Sequence, residues 1–260
     1  MNPGRTLAGR TILVTRPLER SDPFVRELRK RGGRPILAPT VELVPARSAA
    51  LSRAMKDVAA GRFAWLALTS RTTVEVLASR MKPAEVRAKV AAIGDGTAEA
   101  FRRWARREPD LVPRAFTTTA LARAFPRGMG RVLCARADIA PPGLESALAA
   151  KGWEAIRVDA YRTKLPRSFP PEARTALRAG TIDAVTFTSA STVRGFVRAL
   201  LGPTGAGTPV VGTPRVVCIG PVTAREARAH GFTVHAVARP HTLEGLVTAV
   251  ERTLSASRPR

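Results

Sequence analysis

Short, largely apolar segments recur along this chain at residues 12–14, 66–68, 90–93, 132–133, 185–187 and 216–219. Apolar runs of that length suit parallel strands covered on both faces. Between them lie stretches with helical spacing. Val193, Phe196, Val197 and Leu200 fall at i, i+3, i+4, i+7, and Leu243, Leu246, Val247, Val250 and Leu254 form a second stripe with Thr242 placed to cap it. Phe24, Val25 and Leu28 make a shorter stripe that runs out at Gly32. Strands alternating with helices predict an α/β chain built on parallel sheet. The Gly-, Pro- and Thr-rich segment 202–214 reads as a loop, and 255–260 as a disordered tail.

The pattern repeats. Gly9-Arg10-Thr11-Ile12-Leu13-Val14-Thr15-Arg16 resembles Gly130-Arg131-Val132-Leu133-Cys134-Ala135-Arg136, and each is followed by a helical stretch ending at glycine, Gly32 or Gly152. Two extended segments with a proline near the end come next, 34–44 and 154–165. Leu68-Thr69-Ser70 before Thr73-Val74 matches Phe187-Thr188-Ser189 before Thr192-Val193. Ile93-Gly94-Asp95-Gly96-Thr97-Ala98 matches Ile219-Gly220-Pro221-Val222-Thr223-Ala224. Matched pairs of this kind predict two copies of one α/β unit.

Charge and cysteine content narrow the setting. The net charge of +23 favours anionic partners, but its arginines are spread along the chain and lysine stands only at 30, 56, 82, 89, 151 and 164. A generally basic surface and a selected anion site both fit. No apolar run reaches the roughly 18 residues a membrane span needs. Residues 1–10 lack the apolar stretch of a secretory signal, and Cys134 and Cys218 sit singly in apolar runs. Together these predict a cytoplasmic protein without structural disulfides.

Candidate chemistry is sparse. His230, His235 and His241 are the only histidines and no cysteine pair has ligand spacing, so no metal constellation is expected. There is no G-x-S-x-G elbow and no P-loop. Gly94-Asp95-Gly96 follows a strand, but Glu99 holds the third glycine position of a dinucleotide fingerprint and would repel pyrophosphate. What remains is a set of strand-to-helix turns rich in Ser, Thr, Gly and Arg: Thr15-Arg16-Pro17, Thr69-Ser70-Arg71, residues 94–97, Thr188-Ser189-Ala190-Ser191-Thr192 and residues 220–223. Ligands bind at the carboxyl ends of parallel strands, and helix N-termini there attract anions. Plain helix capping is the competing explanation of each turn.

Taken in order, these motifs resemble the uroporphyrinogen-III synthases. V-T-R-P stands at residues 14–17, T-S at 69–70, I-G-x-x-T-A at 93–98, V-x-x-Y-R-T at 158–163, a second T-S at 188–189 and I-G-P-x-T-A at 219–224. The resemblance runs from about residue 9 to residue 253. It implies two flavodoxin-like parallel-sheet domains joined by a two-stranded linker. The first would comprise 1–38 plus 167–260, the linker strands 39–45 and 158–166, and the second domain 46–157. It further implies a lyase that cyclises and dehydrates hydroxymethylbilane to uroporphyrinogen III, inverting the last pyrrole ring in a cleft between the domains, without metal or coenzyme. The substrate would be a linear tetrapyrrole with eight carboxylates, and the enzyme a monomer in transient contact with hydroxymethylbilane synthase, with no nucleic acid or membrane partner.

Tyr161, the only tyrosine, matches the family's tyrosine and is expected to donate a hydrogen bond to the departing hydroxyl; a phenol holds its proton at neutral pH. Thr15, Arg16, Ser70, Gly94, Thr97, Arg136, Ser189, Ala190, Ser191, Gly220 and Thr223 are expected to bind substrate, with Arg16 and Arg136 able to pair with carboxylates bidentately. The chain departs from the family pattern at Arg71-Thr72, at Asp95-Gly96 and at Arg136-Ala137. Those departures motivate an alternative, a non-catalytic relative acting as a tetrapyrrole-binding or regulatory module. The charge motivates a nucleic-acid binder, against which stand 5% aromatic residues and no recognisable binding motif. A two-lobed periplasmic-type binding protein is the third reading, opposed by the missing signal sequence.

Overall fold

The computed structural model describes residues 6–202 and 207–255, and parts of the expected loop 202–214 and tail 255–260 lie outside them. The chain opens with β1 (Thr11–Val14), α1 (Asp22–Lys30) and β2 (Arg34–Leu37). It continues through β3 (Glu42–Pro45), α2 (Ala49–Ala59), β4 (Trp65–Leu68), α3 (Arg71–Ala78), β5 (Lys89–Ala92), α4 (Asp95–Ala105), α5 (Thr118–Ala124), β6 (Arg131–Ala137), α6 (Leu144–Ala149) and β7 (Glu154–Lys164). It closes with α7 (Pro171–Arg178), β8 (Ala184–Phe187), α8 (Ala190–Leu201), β9 (Arg215–Cys218), α9 (Pro221–Ala229), β10 (Val234–Val237) and α10 (Leu243–Ser255). Two compact units result: residues 1–42 with 164–260, and residues 43–163.

The first unit holds a five-stranded sheet in the order β10-β9-β8-β1-β2, every neighbouring pair parallel. Counted within the unit this is the doubly wound order 2-1-3-4-5, with its topological switch between β1 and β8. The strands are covered on both faces, which explains their unbroken apolar character. Leu13, Val185 and Phe187 pack with Phe169, Phe196 and Phe232 on one side. Ile12, Val14 and Val217 pack with Phe24, Leu28, Leu246 and Val250 on the other. The helical stripes read from sequence are the faces of α1, α8 and α10 turned to these cores.

The second unit holds a sheet in the order β3-β7-β6-β4-β5, in which β4–β5, β4–β6 and β6–β7 are parallel and the switch lies between β4 and β6. β3 occupies the edge beside β7, and the Ala46 amide just beyond it donates to the Ala160 carbonyl at 2.9 Å. The segments expected as linker thus contain β3 and the second half of β7. The domain limit expected at residue 157 falls inside β7, which runs on unbroken as an 11-residue strand. Gly32 and Gly152, the paired glycines that follow α1 and α6, have φ of 81° and 95°, the left-handed region that a side chain resists.

Candidate active site

In each unit the loops leaving the carboxyl ends of the strands carry the hydroxyl-rich turns. At the first unit's switch point, Thr15-Arg16 follows β1 and Thr188-Ser189 follows β8; at the second unit's, Thr69-Ser70 follows β4 and Ala137-Asp138 closes β6. Ser70 Oγ accepts the Thr73 amide at 3.1 Å and Ser189 Oγ the Thr192 amide at 3.2 Å, so both serines are N-caps of their helices. Capping leaves them further capacity. Ser70 Oγ lies 3.0 Å from Thr73 Oγ1, and Ser189 Oγ lies 2.9 Å from Ser191 Oγ, next to Ala190 in the first turn of α8.

The glycine turns behave differently. Gly94 and Gly220 start α4 and α9 without a side-chain cap, leaving helix amides open to an anion. Thr97 and Thr223 occupy the third position of those helices, and both are more than nine-tenths buried. Among the described residues neither hydroxyl has a hydrogen-bond partner. Two matched helix N-termini therefore each carry a largely buried threonine whose hydroxyl, itself reached by solvent, has no protein partner. Arg16 is half-buried at the start of the loop after β1.

Tyr161 lies near the carboxyl end of β7. A register shift between Arg136 and Ala137 sets it opposite Ala137, and its carbonyl accepts the Asp138 amide at 3.1 Å. Bulges of this kind re-aim side chains beside functional sites. The residue is 8% exposed and joins the core cluster that includes Leu68, Phe101 and Val158, so it is held firmly near the carboxyl end of β7.

Two expected substrate ligands have internal partners. Arg136 is 2% exposed, and its Nη1 donates to Glu145 at 3.0 and 2.9 Å and to the Pro141 carbonyl at 3.0 Å. A guanidinium so deep is stable only when paired, and Glu145 pairs it, tying β6 to the first turn of α6. Thr15 is fully buried, and its hydroxyl donates to the Thr186 carbonyl at 2.6 Å, joining β1 to β8. Both side chains bond within the protein at the sheet ends.

Other residues near the turns escaped the sequence reading. Phe116 is 57% exposed, yet its ring covers Gly94: a Cβ there would stand 2.6 Å from Phe116 Cγ. In the first unit the His241 ring lies by Gly220, 3.8 Å from the equivalent position. Each ring directly precedes a capping threonine. Thr117 Oγ1 accepts the Ala120 amide and Thr242 Oγ1 the Gly245 amide, both at 3.1 Å. The signal was available as Phe-Thr-x-x-Ala-Leu against His-Thr-x-x-Gly-Leu, one more pair of the repeat. Arg71 reaches α4, its Nη2 3.1 Å from where a Cβ of Gly96 would stand. It contributes to holding the Glu99 carboxyl below its usual range, an effect that comes first from Arg103.

Cys134 and Cys218 are buried, and burial pushes both thiols up to about 12. Among the described residues no group of three or more His, Cys, Asp or Glu side chains is placed to hold a metal ion, and no helix is long and apolar enough to cross a membrane.

Comparison with known proteins agrees with the geometry. A family model described as uroporphyrinogen-III synthase HemD matches residues 22–248. A uroporphyrinogen-III synthase of Synechococcus elongatus is 30% identical over 256 residues, covering 95% of this chain and 96% of its own. Among solved structures, a mutant uroporphyrinogen-III synthase of Thermus thermophilus aligns with a TM-score of 0.67 at 22% identity, covering 95% of this chain and 100% of that one. The Helicobacter pylori enzyme aligns at 0.60 and 16% identity, covering 95% and 99%. At those identities the two structures speak for the two-domain α/β fold, while the family model and the cyanobacterial relative carry the kinship: the chain belongs to the uroporphyrinogen-III synthase family, enzymes of the lyase class.

Proposed function

We propose that this chain converts hydroxymethylbilane to uroporphyrinogen III using Tyr161 and the turns at the strand ends. The observation that carries the site is the matched pair of glycine-opened helix N-termini, α4 and α9, each with a largely buried threonine whose hydroxyl has no protein partner among the described residues. A substrate with eight carboxylates meets such donors naturally. Gly94 and Thr97 in one unit, and Gly220 and Thr223 in the other, take carboxylate arms through amides and hydroxyls. Ser70, Ser189, Ala190 and Ser191 add donors from the neighbouring turns, and Arg16 adds a cation.

The reaction needs the terminal hydroxyl to leave as water, giving an azafulvene cation, and then needs the chain held curled so that inverted closure outruns direct closure. Tyr161 donates a hydrogen bond to the departing hydroxyl. Its packing in the core fixes the phenol, which suits a group that must meet one oxygen in one geometry. Thr15 and Arg136 have no direct part in this scheme. The reading carries with it a cytoplasmic monomer that receives its unstable substrate directly from hydroxymethylbilane synthase. The family's place in biosynthesis and the basic surface support that setting.

The test generates hydroxymethylbilane in place with its synthase, adds this protein, oxidises the products and separates the uroporphyrin isomers. Predominant type III isomer is expected. Type I isomer alone, the product of uncatalysed closure, would overturn the reading in favour of a binding module of the same fold.

A further inference from the structure

One concavity of the first unit starts at the 220–223 turn and extends beyond it. It lies beside α9 and the residues that follow β10, and its volume is ≈ 630 Å³, within the range of small-molecule sites. Ala224 and Val237 line its floor, and Arg225, Arg228, Arg239 and His241 stand around it. The floor is apolar while the rim carries three guanidinium groups.

Among the described residues those three cations have no acid to answer them. The guanidinium groups of Arg225, Arg228 and Arg239 make no ion pair or hydrogen bond among these residues, and all three residues are exposed. The acid on the same helix, Glu226, faces Arg194 at 3.1 Å and His230 at 3.3 Å. His241 is oriented by Nδ1, 2.7 Å from the Ala238 carbonyl, and its ring lies beside Gly220, so the concavity adjoins the uncapped start of α9. The second copy of the unit supplies a contrast. There the Phe116 ring closes over Gly94, where His241 stands off from Gly220. Two of the three arginines have counterparts there, Arg102 and Arg114, but Glu99 stands in the place of Arg225 and Arg102 pairs with Glu108 at 2.6 Å, so only the first unit keeps this corner open with its guanidinium groups unanswered.

An apolar floor with a rim of arginines suits a flat ring bearing carboxylate arms better than it suits a bare inorganic anion. We propose that this pocket is a subsite for one carboxylate-bearing pyrrole ring, seated on Ala224 and Val237 with its arms on Arg225, Arg228 and Arg239. The assignment rests on the tetrapyrrole reading of the neighbouring turns and names where one ring of that substrate docks. Guanidinium forks pair bidentately with carboxylates, so two arms can be shared among three arginines.

The test titrates the full chain by calorimetry with a monopyrrole carrying one acetate and one propionate arm, and separately with inorganic phosphate. The wild type is compared with Arg225→Ala/Arg239→Ala, whose exposed positions leave the fold intact, as a thermal melt verifies. We expect monopyrrole affinity at least about tenfold lower in the variant, equivalent to about 1.4 kcal/mol, and a raised KM with kcat nearly kept, as for uniform binding. Equal affinity in the two proteins would overturn the subsite. Phosphate binding as tightly as the monopyrrole and displacing it would also overturn it, leaving an unspecific anion site. The isomer assay separates the two proposals. A wild type that makes only type I isomer, yet binds the monopyrrole through these arginines, retains the pocket and loses the synthase reading. A wild type that makes type III isomer, with KM unchanged in the variant, loses the pocket alone.

Discussion

Glu145→Ala tests whether Arg136 is structural, as its surroundings require. The Arg136 guanidinium is 2% exposed and meets both Glu145 oxygens, while Glu145 keeps 15% exposure. Removing one member of a buried pair strands the other charge, at a cost of about 3–5 kcal/mol. Water reaching the Glu145 side favours the lower end, so we expect a loss of about 3 kcal/mol. Replacing both members, Arg136→Met/Glu145→Leu, leaves no buried charge and should recover to within about 1 kcal/mol of wild type. Urea unfolding followed by tryptophan fluorescence reads the right unit, because Trp65, Trp104 and Trp153 all lie within residues 43–163. With a slope of about 2 kcal/mol/M, a loss of about 3 kcal/mol lowers the midpoint by about 1.5 M. A midpoint for Glu145→Ala within about 0.3 M of wild type, a small change on the same scale, would refute the argument. So would a double variant that folds like wild type but makes no type III isomer, since it would return Arg136 to the substrate.

Other expectations follow from the same contacts. Tyr161→Phe keeps the packed ring and removes only the hydroxyl, so turnover should fall about 10²-fold, the lower range for a positioned proton donor, with little change in Tm; undiminished turnover would remove Tyr161 from the chemistry. Ser189→Ala deletes the cap of α8 and should cost about 1 kcal/mol, read as faster amide exchange in the first turn of that helix; unchanged exchange would show the cap to be dispensable. With both thiols raised to about 12 by burial, Cys134 and Cys218 should resist a disulfide reagent at about pH 8 until denaturant is added, and rapid native labelling would contradict their burial. His235 is held below its ordinary value of 6.5, first by burial and then by Arg215, and its Nδ1 accepts the Val216 amide, which requires the neutral ring. The unfolded chain therefore takes up this proton at higher pH than the folded one, so stability should fall as pH drops below about 6.5. His235→Gln should flatten that part of the profile of Tm against pH, and an identical slope in the variant would exclude this histidine as the cause.

Much of the fold was legible because its signals are local. The apolar stripe through Val193 and Phe196, the serines that cap α3 and α8, and the left-handed glycines after α1 and α6 each express one element's own requirements. What stayed hidden depends on where remote segments meet. Nothing in the sequence pairs Arg136 with Glu145 across the turn after β6, so an arginine at a strand end reads as a free cation although its Nη1 meets a carboxylate. Thr15 is a parallel case: a hydroxyl after a strand looks unpartnered in the sequence, and in the fold it donates to the Thr186 carbonyl of a strand far along the chain. The bulge that brings Tyr161 opposite Ala137, and the loop that returns Phe116 to Gly94, are likewise tertiary facts.

The internal repeat turns that limitation into a comparison. Two copies of one unit share the requirement to fold, so features present in both, such as the capping serines and the uncapped glycine turns, follow from the common architecture or from a task both copies perform. Features present in one copy cannot be demanded by the architecture. Phe116 closed over Gly94 and the open corner beside Gly220, with Arg225 where the other copy has Glu99, are the same place in the unit treated differently. A substrate whose pyrrole rings must be handled differently, one inverted and the others not, requires an asymmetric site. A duplicated fold supplies one only where its copies diverge, and the turns at Gly94 and Gly220 are such a place.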